Sequence, residues 1–268
     1  MRPLVSSNPD GFPTPVWKRV LDLVGGTIAL IVTLPLILAS MLAVWLCDFR
    51  NPLFVSERIG RGGRPFRFFK IRTMVPNASA NGVNTTIAGD PRVTAVGRVL
   101  RYFKLDELPQ FWNVVRGEMS LVGPRPNVFH ETSRYTEEER RLLSVLPGVT
   151  DYSSIAFADL GDVLAGSADA NVAYNQLIRP WKSALGLHYI ATMSLANDLW
   201  LIWLTMTQMF ARRWTLTKLE ARLRATGAPP ELCEMASRSR PLRPAPPPGA
   251  TCVVEASEVA ARVDERVV

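Results

Sequence analysis

Two adjacent carboxylates, Asp106 and Glu107, stand between a basic approach at Arg98, Arg101 and Lys104 and a basic exit at Arg116 and Arg125. Acids set among arginines suggest phosphate chemistry with a divalent cation. The cations attract phosphoryl oxygens, and a carboxylate can ligate the ion or attack phosphorus. An aspartate with the ordinary pKa of about 3.9 is already ionised at pH 7, so such an attack needs no separate base. The same residues also fit something plainer. Leu108, Phe111, Trp112 and Val115 recur at helical spacing, and on a capped amphipathic surface helix the two acids would simply be solvated.

The elements that would position the dyad come next. Pro109 is tolerated only in the first turn of a helix, which predicts a helix starting near Asp106 with Asp106 as its N-cap. Its positive end would favour the carboxylates and an approaching phosphate. Upstream, Asn51 to Met74 has short β-prone runs on either side of Gly60 to Gly63, a hairpin signal. Its Arg64, Arg67, Lys70 and Arg72 alternate with Phe66, Phe68 and Phe69. That pattern fits a single-stranded nucleic-acid face or, beside a membrane segment, an interfacial contact or a nucleotide-diphosphate clamp. The small, polar run Asn77 to Ala88 is expected to form a mobile loop over the site. Thr136 with Glu139 makes a capping box, predicting a short helix to Ser144 before Pro147-Gly148. Residues 171–210 read as two helices separated near Pro180. The second, Leu185 to Phe210, is apolar on nearly all faces at 199–204 and so buried or against lipid, with Arg212 and Arg213 at the headgroups.

The apolar run Val24 to Leu46 spans 23 residues without a charge and has no small-residue cleavage site, so it is read as a retained membrane segment. Its flanks are basic on both sides, Lys18 and Arg19 before and Arg50, Arg58, Arg61 and Arg64 after, which places both ends on the cytoplasmic side. Pro35 lies at its middle. Two halves of about 11 residues reach roughly 16 Å each, about half of a ~30 Å hydrocarbon core, so a hairpin kinked at Pro35 fits, with Thr33 serving the freed carbonyl. An ordinary Pro-kinked spanning helix remains the alternative.

A net charge of +7 and a pI near 9.7 predict anionic partners, whether phospholipid, nucleotide or nucleic acid. Cys47, Cys233 and Cys252 are far apart and show no ligand spacing, so neither a zinc site nor a disulfide framework is indicated. His130 and His188 are isolated and take no role. Residues 1–16 read as a flexible leader, 17–49 as the membrane helix segment, 50–223 as a catalytic domain with interfacial helices, and 224–268, rich in proline, as a disordered tail. The fold class is α+β, mainly α: a re-entrant or spanning N-terminal membrane helix, then a small helix-rich cytosolic domain with a β-hairpin.

The string Asp90-Pro91-Arg92, Thr94, Gly97, Leu100-Arg101, Leu105-Asp106-Glu107-Leu108-Pro109-Gln110, Asn113-Val114, Gly117-Glu118-Met119-Ser120 and Val122-Gly123-Pro124-Arg125-Pro126 resembles the bacterial sugar transferase family, the monotopic polyprenyl-phosphate phosphoglycosyltransferases. Similar matches extend through Lys18-Arg19, Asp22, Phe54, Arg58, Lys70, Arg72-Thr73-Met74 and Pro147-Gly148, and the resemblance covers roughly Lys18 to Phe210. The chain departs from the family pattern at Leu34, where Ser commonly precedes the proline, at Ser56 and Ile71, and at Asp151 to Ile155.

The resemblance implies transfer of a sugar 1-phosphate from a nucleotide diphosphate sugar, usually a UDP-sugar, to polyprenyl (undecaprenyl) phosphate with release of nucleoside monophosphate, initiating exopolysaccharide, capsule, O-antigen or glycoconjugate synthesis. It assigns Asp106 as the nucleophile of an aspartyl-phosphosugar intermediate and Glu107 as a magnesium ligand. Arg101, Arg125 and, less directly, Lys70 and Arg72 would bind phosphate, and Pro35 would kink the membrane segment. Expected partners are a UDP-sugar, polyprenyl phosphate and the lipid bilayer but no nucleic acid; a homodimer is left open. The expected location is the bacterial cytoplasmic membrane, with the catalytic domain on its cytoplasmic face. Two other classes compete. A non-catalytic membrane scaffold of a glycan-assembly complex would not require Asp106, Glu107 and Arg125 together, and a nucleic-acid binder would not need Val24 to Leu46.

Overall fold

The computed structural model describes residues 13–76, 78 and 87–261. The expected leader up to residue 12 and most of the expected loop over 77–88 lie outside the described residues. Val16–Asp48 form a single helix, α1, of 33 residues. At ~1.5 Å per residue it runs about 50 Å, long and apolar enough to cross a membrane.

Pro35 lies inside α1 rather than dividing it into two separate helices, because the ladder on either side carries the helix past one missing bond. Thr33 Oγ1 donates to Ala29 O at 2.7 Å. The expected repair is therefore corrected: the hydroxyl bonds back one turn and leaves Ile31 O, the carbonyl that Pro35 cannot serve. Lys18, Asp22, Gly26, Ile37, Ser40 and Val44 form the buried stripe of α1. Val24, Ile28, Ile31, Leu38, Leu42 and Trp45 are exposed on it.

The predicted hairpin is present. β1 (Leu53–Ile59) pairs antiparallel with β2 (Pro65–Ile71), with Leu53 opposite Ile71 and Ile59 opposite Pro65. Phe68 is buried in the core with Phe66 packed against it, so these two rings are not offered as stacking faces. α2 (Ala95–Tyr102) is capped by Thr94, whose side chain accepts from Gly97 N. A 3-10 turn, Leu105–Glu107, then leads into α3 (Gln110–Arg116).

β3 (Ser120–Val122) pairs in parallel with β4 (Gly148–Thr150). Between them lie α4 (Phe129–Thr132) and a 3-10 turn, Glu139–Ser144. The capping box forms as read: Glu139 N donates to Thr136 Oγ1 at 3.1 Å and Thr136 N to Glu139 Oε2 at 3.0 Å. The turn it starts is 3-10 rather than α because Glu139 is drawn inward to Arg179 and Ser183.

Short helices α5 (Tyr152–Ala156), α6 (Leu160–Leu164) and α7 (Ala170–Ala173) follow. α7 passes through a π turn, Tyr174–Ile178, into α8 (Arg179–Thr192). Pro180 sits in the first turn of α8, where its missing N–H costs nothing, so the expected break there moves to Met193-Ser194. Ser194 caps α9 (Leu195–Thr207). α10 (Arg212–Ala225), α11 (Pro230–Ser237) and α12 (Ala256–Ala261) follow among the described residues. Tyr152, Ile155, Leu185, Tyr189, Leu201, Leu204, Leu219 and Leu223 are fully buried at the centre.

The Pro-rich segment beyond residue 223, expected to be disordered, is docked where the structure describes it. α11 buries Leu232, Cys233, Met235 and Ala236. Gln176 Nε2 donates to Val254 O at 2.8 Å, Ala245 N to Gln176 O at 3.1 Å, and Arg238 Nη2 to Asp159 Oδ2 at 3.1 Å. Low apolar content overall concealed one short amphipathic turn with a groove to fill.

α1 is fastened to this body by charge. Lys18 Nζ donates to Asp198 Oδ2 at 2.5 Å, Tyr189 OH at 2.9 Å and Val122 O at 2.8 Å. Asp22 Oδ1 accepts from Ser120 Oγ and Leu121 N, both at 2.8 Å. Arg19 caps the last carbonyls of α3 at Val114 and Val115, at 3.0 and 2.9 Å.

Candidate active site

Asp106 and Glu107 lie in the 3-10 turn, not at the N-cap of a helix as the sequence suggested. α3 starts at Gln110 with Pro109 in the capping position. The turn is entered through Lys104, which holds φ 57°, a left-handed conformation costing a non-glycine residue about 1–2 kcal/mol. That reversal turns Asp106 inward, leaving it 2% exposed.

Lys70, on β2, bridges the pair, with Nζ 2.8 Å from Asp106 Oδ2 and 3.3 Å from Glu107 Oε1. Arg125 forks onto Glu107, Nη1 to Oε2 at 2.9 Å and Nη2 to Oε1 at 2.7 Å, and Nη1 also donates to Val149 O at 3.1 Å. Burial works against the charge on Glu107, but Arg125 and Lys70 outweigh it and hold its carboxyl well below the usual carboxylate range. The dyad is thus a pair of carboxylates kept close by shared cations.

Each cation is placed by a neighbouring contact. Asn113 of α3 clamps β2, donating to Arg67 O at 2.6 Å and accepting from Phe69 N at 3.3 Å, which sets Lys70. Arg125 follows the β3 end, where Gly123 and Gly148 touch backbone to backbone. A Cβ on Gly148 would lie 2.0 Å from Gly123 N, so only glycine permits this approach. Arg101 extends from α2 to Thr73 Oγ1 at 2.8 Å. Gly97 lets α2 settle there, since a Cβ on it would meet Thr73 O at 2.0 Å. Burial lowers the Arg101 pKa, and the Asp106 charge opposes that shift.

The structure therefore gathers Lys70, Arg101 and Arg125 around Asp106 and Glu107. It does not bring Arg72 there. Arg72 forks onto Asp48 at 2.7 and 2.6 Å and donates to Asn51 O at 2.9 Å, tying the end of α1 to the hairpin. Asp90 and Arg92 pair with each other at 2.7 Å. Pro35 stands within α1. Two cations that the sequence did not single out for the site, Arg58 of β1 and Lys182 of α8, both lie within the field of Arg125. Nothing in the local sequence around Lys182 signals this, since its neighbours there belong to distant segments.

Among the described residues no group of three or more His, Cys, Asp or Glu side chains is assembled for a metal. Magnesium needs fewer: it is held by one or two carboxylates together with substrate phosphates and water. Glu107 accepts three contacts from Arg125 and Lys70, leaving room among the roughly four acceptor positions of a carboxylate. The dyad fits such an ion.

The family described as "Bacterial sugar transferase" matches residues 14–212. A Caulobacter vibrioides protein named UDP-glucose:undecaprenyl-phosphate glucose-1-phosphate transferase is 36% identical over 195 residues, covering 72% of this chain and 69% of its own length. The exopolysaccharide production protein ExoY of Sinorhizobium fredii is 35% identical over 204 residues, 70% of this chain and 83% of its own. An Aeromonas hydrophila protein named UDP-N-acetylgalactosamine-undecaprenyl-phosphate N-acetylgalactosaminephosphotransferase is 42% identical over 117 residues, 42% of this chain and 28% of its own. The chain spans 28% to 41% of the length of several of the relatives it matches.

Proposed function

The chain belongs to the bacterial sugar transferase family, and from that premise we propose that it transfers a sugar 1-phosphate from a UDP-sugar to polyprenyl phosphate, releasing UMP. The observation that carries this reading is the Asp106-Glu107 pair, Asp106 buried and Glu107 half-buried, bridged by Lys70 and with Arg125 forked onto Glu107. A scaffold gives no reason to gather two carboxylates among cations.

An Asp106 carboxylate oxygen attacks the phosphorus that bears the sugar. A P–O bond forms to Asp106 as the P–O bond to the nucleoside monophosphate breaks, and UMP leaves with that electron pair. A phosphate oxygen of the polyprenyl phosphate then attacks the same phosphorus, and the bond to Asp106 breaks, restoring the carboxylate. Lys70 and Arg101 flank the reacting phosphoryl oxygens, and Arg125 orients Glu107. Glu107, with Asp106 beside it, would hold magnesium, which supplies charge neutralisation between the anionic nucleophile and the diphosphate.

The reading places this chemistry at the cytoplasmic face of the bacterial membrane. Both ends of α1 are fastened to the same body: Lys18 to Asp198 before the apolar run, and Asp48 to Arg72 after it. Thr14 Oγ1, ahead of α1, also accepts from Arg61 Nη1 in the hairpin turn at 2.7 Å. Contacts at both ends with one domain support an insertion that enters and leaves on one side, and the basic flanks assign that side to the cytoplasm.

The test is release of UMP by the membrane-embedded chain from a panel of UDP-sugars with polyprenyl phosphate and magnesium. Release with one of them supports the reading, and no release with any returns the weight to a scaffold.

A further inference from the structure

β1 occupies one edge of β2, and among the described residues no strand lies along the other. The side-chain amide of Asn113, fully buried one turn into α3, fills part of that open edge. Its Nδ2 donates to Arg67 O at 2.6 Å, and its Oδ1 accepts from Phe69 N at 3.3 Å. Alternate residues of a strand present their backbone groups to the same edge, so one amide does here what a residue of a neighbouring strand would do. The second Nδ2 hydrogen goes to Glu118 Oε2 at 2.7 Å, and Arg116 Nη2 holds that carboxylate through Oε1 at 3.1 Å. Arg67 O and Glu118 only accept and Phe69 N only donates, so the amide has one orientation.

Lys70 is the residue after Phe69. Pairing with β1 sets its register, with Phe54 opposite, but leaves the hairpin free to shift as one piece. The dyad turn, Leu105–Glu107, runs into α3 through Leu108 and Pro109 alone. The amide therefore ties the segment that carries the dyad to the strand that carries its bridging cation, one residue from that cation. Lys70 Nζ lies 2.8 Å from Asp106 Oδ2 and 3.3 Å from Glu107 Oε1. A drift of β2 by about 1 Å would take it out of hydrogen-bond range of both.

We propose that Asn113 is a positioning residue of the site: by binding the open edge of β2 it holds Lys70 between Asp106 and Glu107. It touches no reacting atom and acts through Lys70. This rests on the reading of the dyad given above and adds the residue that keeps the two halves of the site in register.

The test has two arms, on the full chain in lipid nanodiscs. The first needs no turnover: lysines are acylated with an N-hydroxysuccinimide ester and read by peptide mass spectrometry, with the exposed Lys218 as reference. Asn113→Ala should acylate Lys70 about tenfold faster than wild type, the loss of one charge-assisted contact, with Lys218 unchanged. The second arm is UMP release from a UDP-sugar with polyprenyl phosphate. Asn113→Ala should lower kcat about ten- to hundredfold, with the KM for polyprenyl phosphate within about twofold of wild type. Lys70→Met should lower kcat at least as far, and the double variant should match Lys70→Met within about twofold, because the amide acts only through that lysine. If Asn113→Ala fails to fold, Asn113→Ser, whose hydroxyl still serves one of the two backbone groups, is read in the same two arms. The proposal is overturned if the folded variant acylates Lys70 at the wild-type rate, or if the two substitutions multiply in kcat as a merely structural role requires. Faster acylation of Lys70 in Asn113→Ala, in a protein whose wild type releases no UMP from any UDP-sugar, would sink the transferase reading and leave the clamp standing.

Discussion

Asp106→Asn separates chemistry from stability at the dyad. The side chain keeps its size but loses the anion that would attack phosphorus. Its structural cost is small for two reasons. Asp106 lies in a 3-10 turn and caps no helix, so no cap is lost. Its partner Lys70, 26% exposed, still has Glu107 at 3.3 Å, so no buried charge is orphaned, and the loss is that of one charge-assisted contact, about 1–2 kcal/mol. At roughly 2–4 °C per kcal/mol for a chain of this size, the melting temperature should drop by less than about 8 °C. Turnover should fall by about 10⁴-fold or more, the scale seen when a covalent nucleophile is removed. The assays are thermal melting, UMP release, and exchange of labelled UMP into the UDP-sugar without polyprenyl phosphate. Wild type should exchange label and Asp106→Asn should not. A folded Asp106→Asn chain within about tenfold of wild-type turnover, or a wild type that turns over but never exchanges, would refute the nucleophile assignment.

Three further outcomes follow from the same contacts. Because the Lys182 pKa is depressed in the folded chain, the unfolded chain holds the proton that the native one has lost between about pH 8 and 10.5. Stability should therefore rise across that window in wild type and not in Lys182→Met, as read by denaturant titration at several pH values. Leu232→Asp places a charge at a 4% exposed position of α11 and should cost about 3 kcal/mol or more. The melting temperature should fall by roughly 6–12 °C, and a change under about 1 °C would mean that α11 does not belong to the cooperative unit. With the exposed Cys47 and Cys252 replaced by serine, single cysteines at Pro13 and Arg64 should both be labelled from the cytoplasm. Labelling of Pro13 from the opposite face would show that α1 crosses the bilayer.

Features written in neighbouring residues were legible from the sequence. The apolar run with basic flanks became α1, the glycine-centred stretch became the β1-β2 hairpin, and Thr136 with Glu139 formed the capping box. Dense charge around Asp106 and Glu107 marked the dyad because those groups lie within a few turns of one another. Wherever a local rule met a tertiary alternative, the contact decided. Pro109 predicted a helix start at Asp106, but the left-handed Lys104 and the pull of Lys70 made a 3-10 turn instead. Arg72 had the composition of a phosphate ligand, yet Asp48, at the far end of α1, claimed it. The proline-rich tail lacked the apolar content to order by itself, and its α11 packs against α8 and α10. Short-range preferences are set by backbone sterics and residue periodicity, which a sequence displays. Which charges end up paired depends on long-range packing that no local pattern contains.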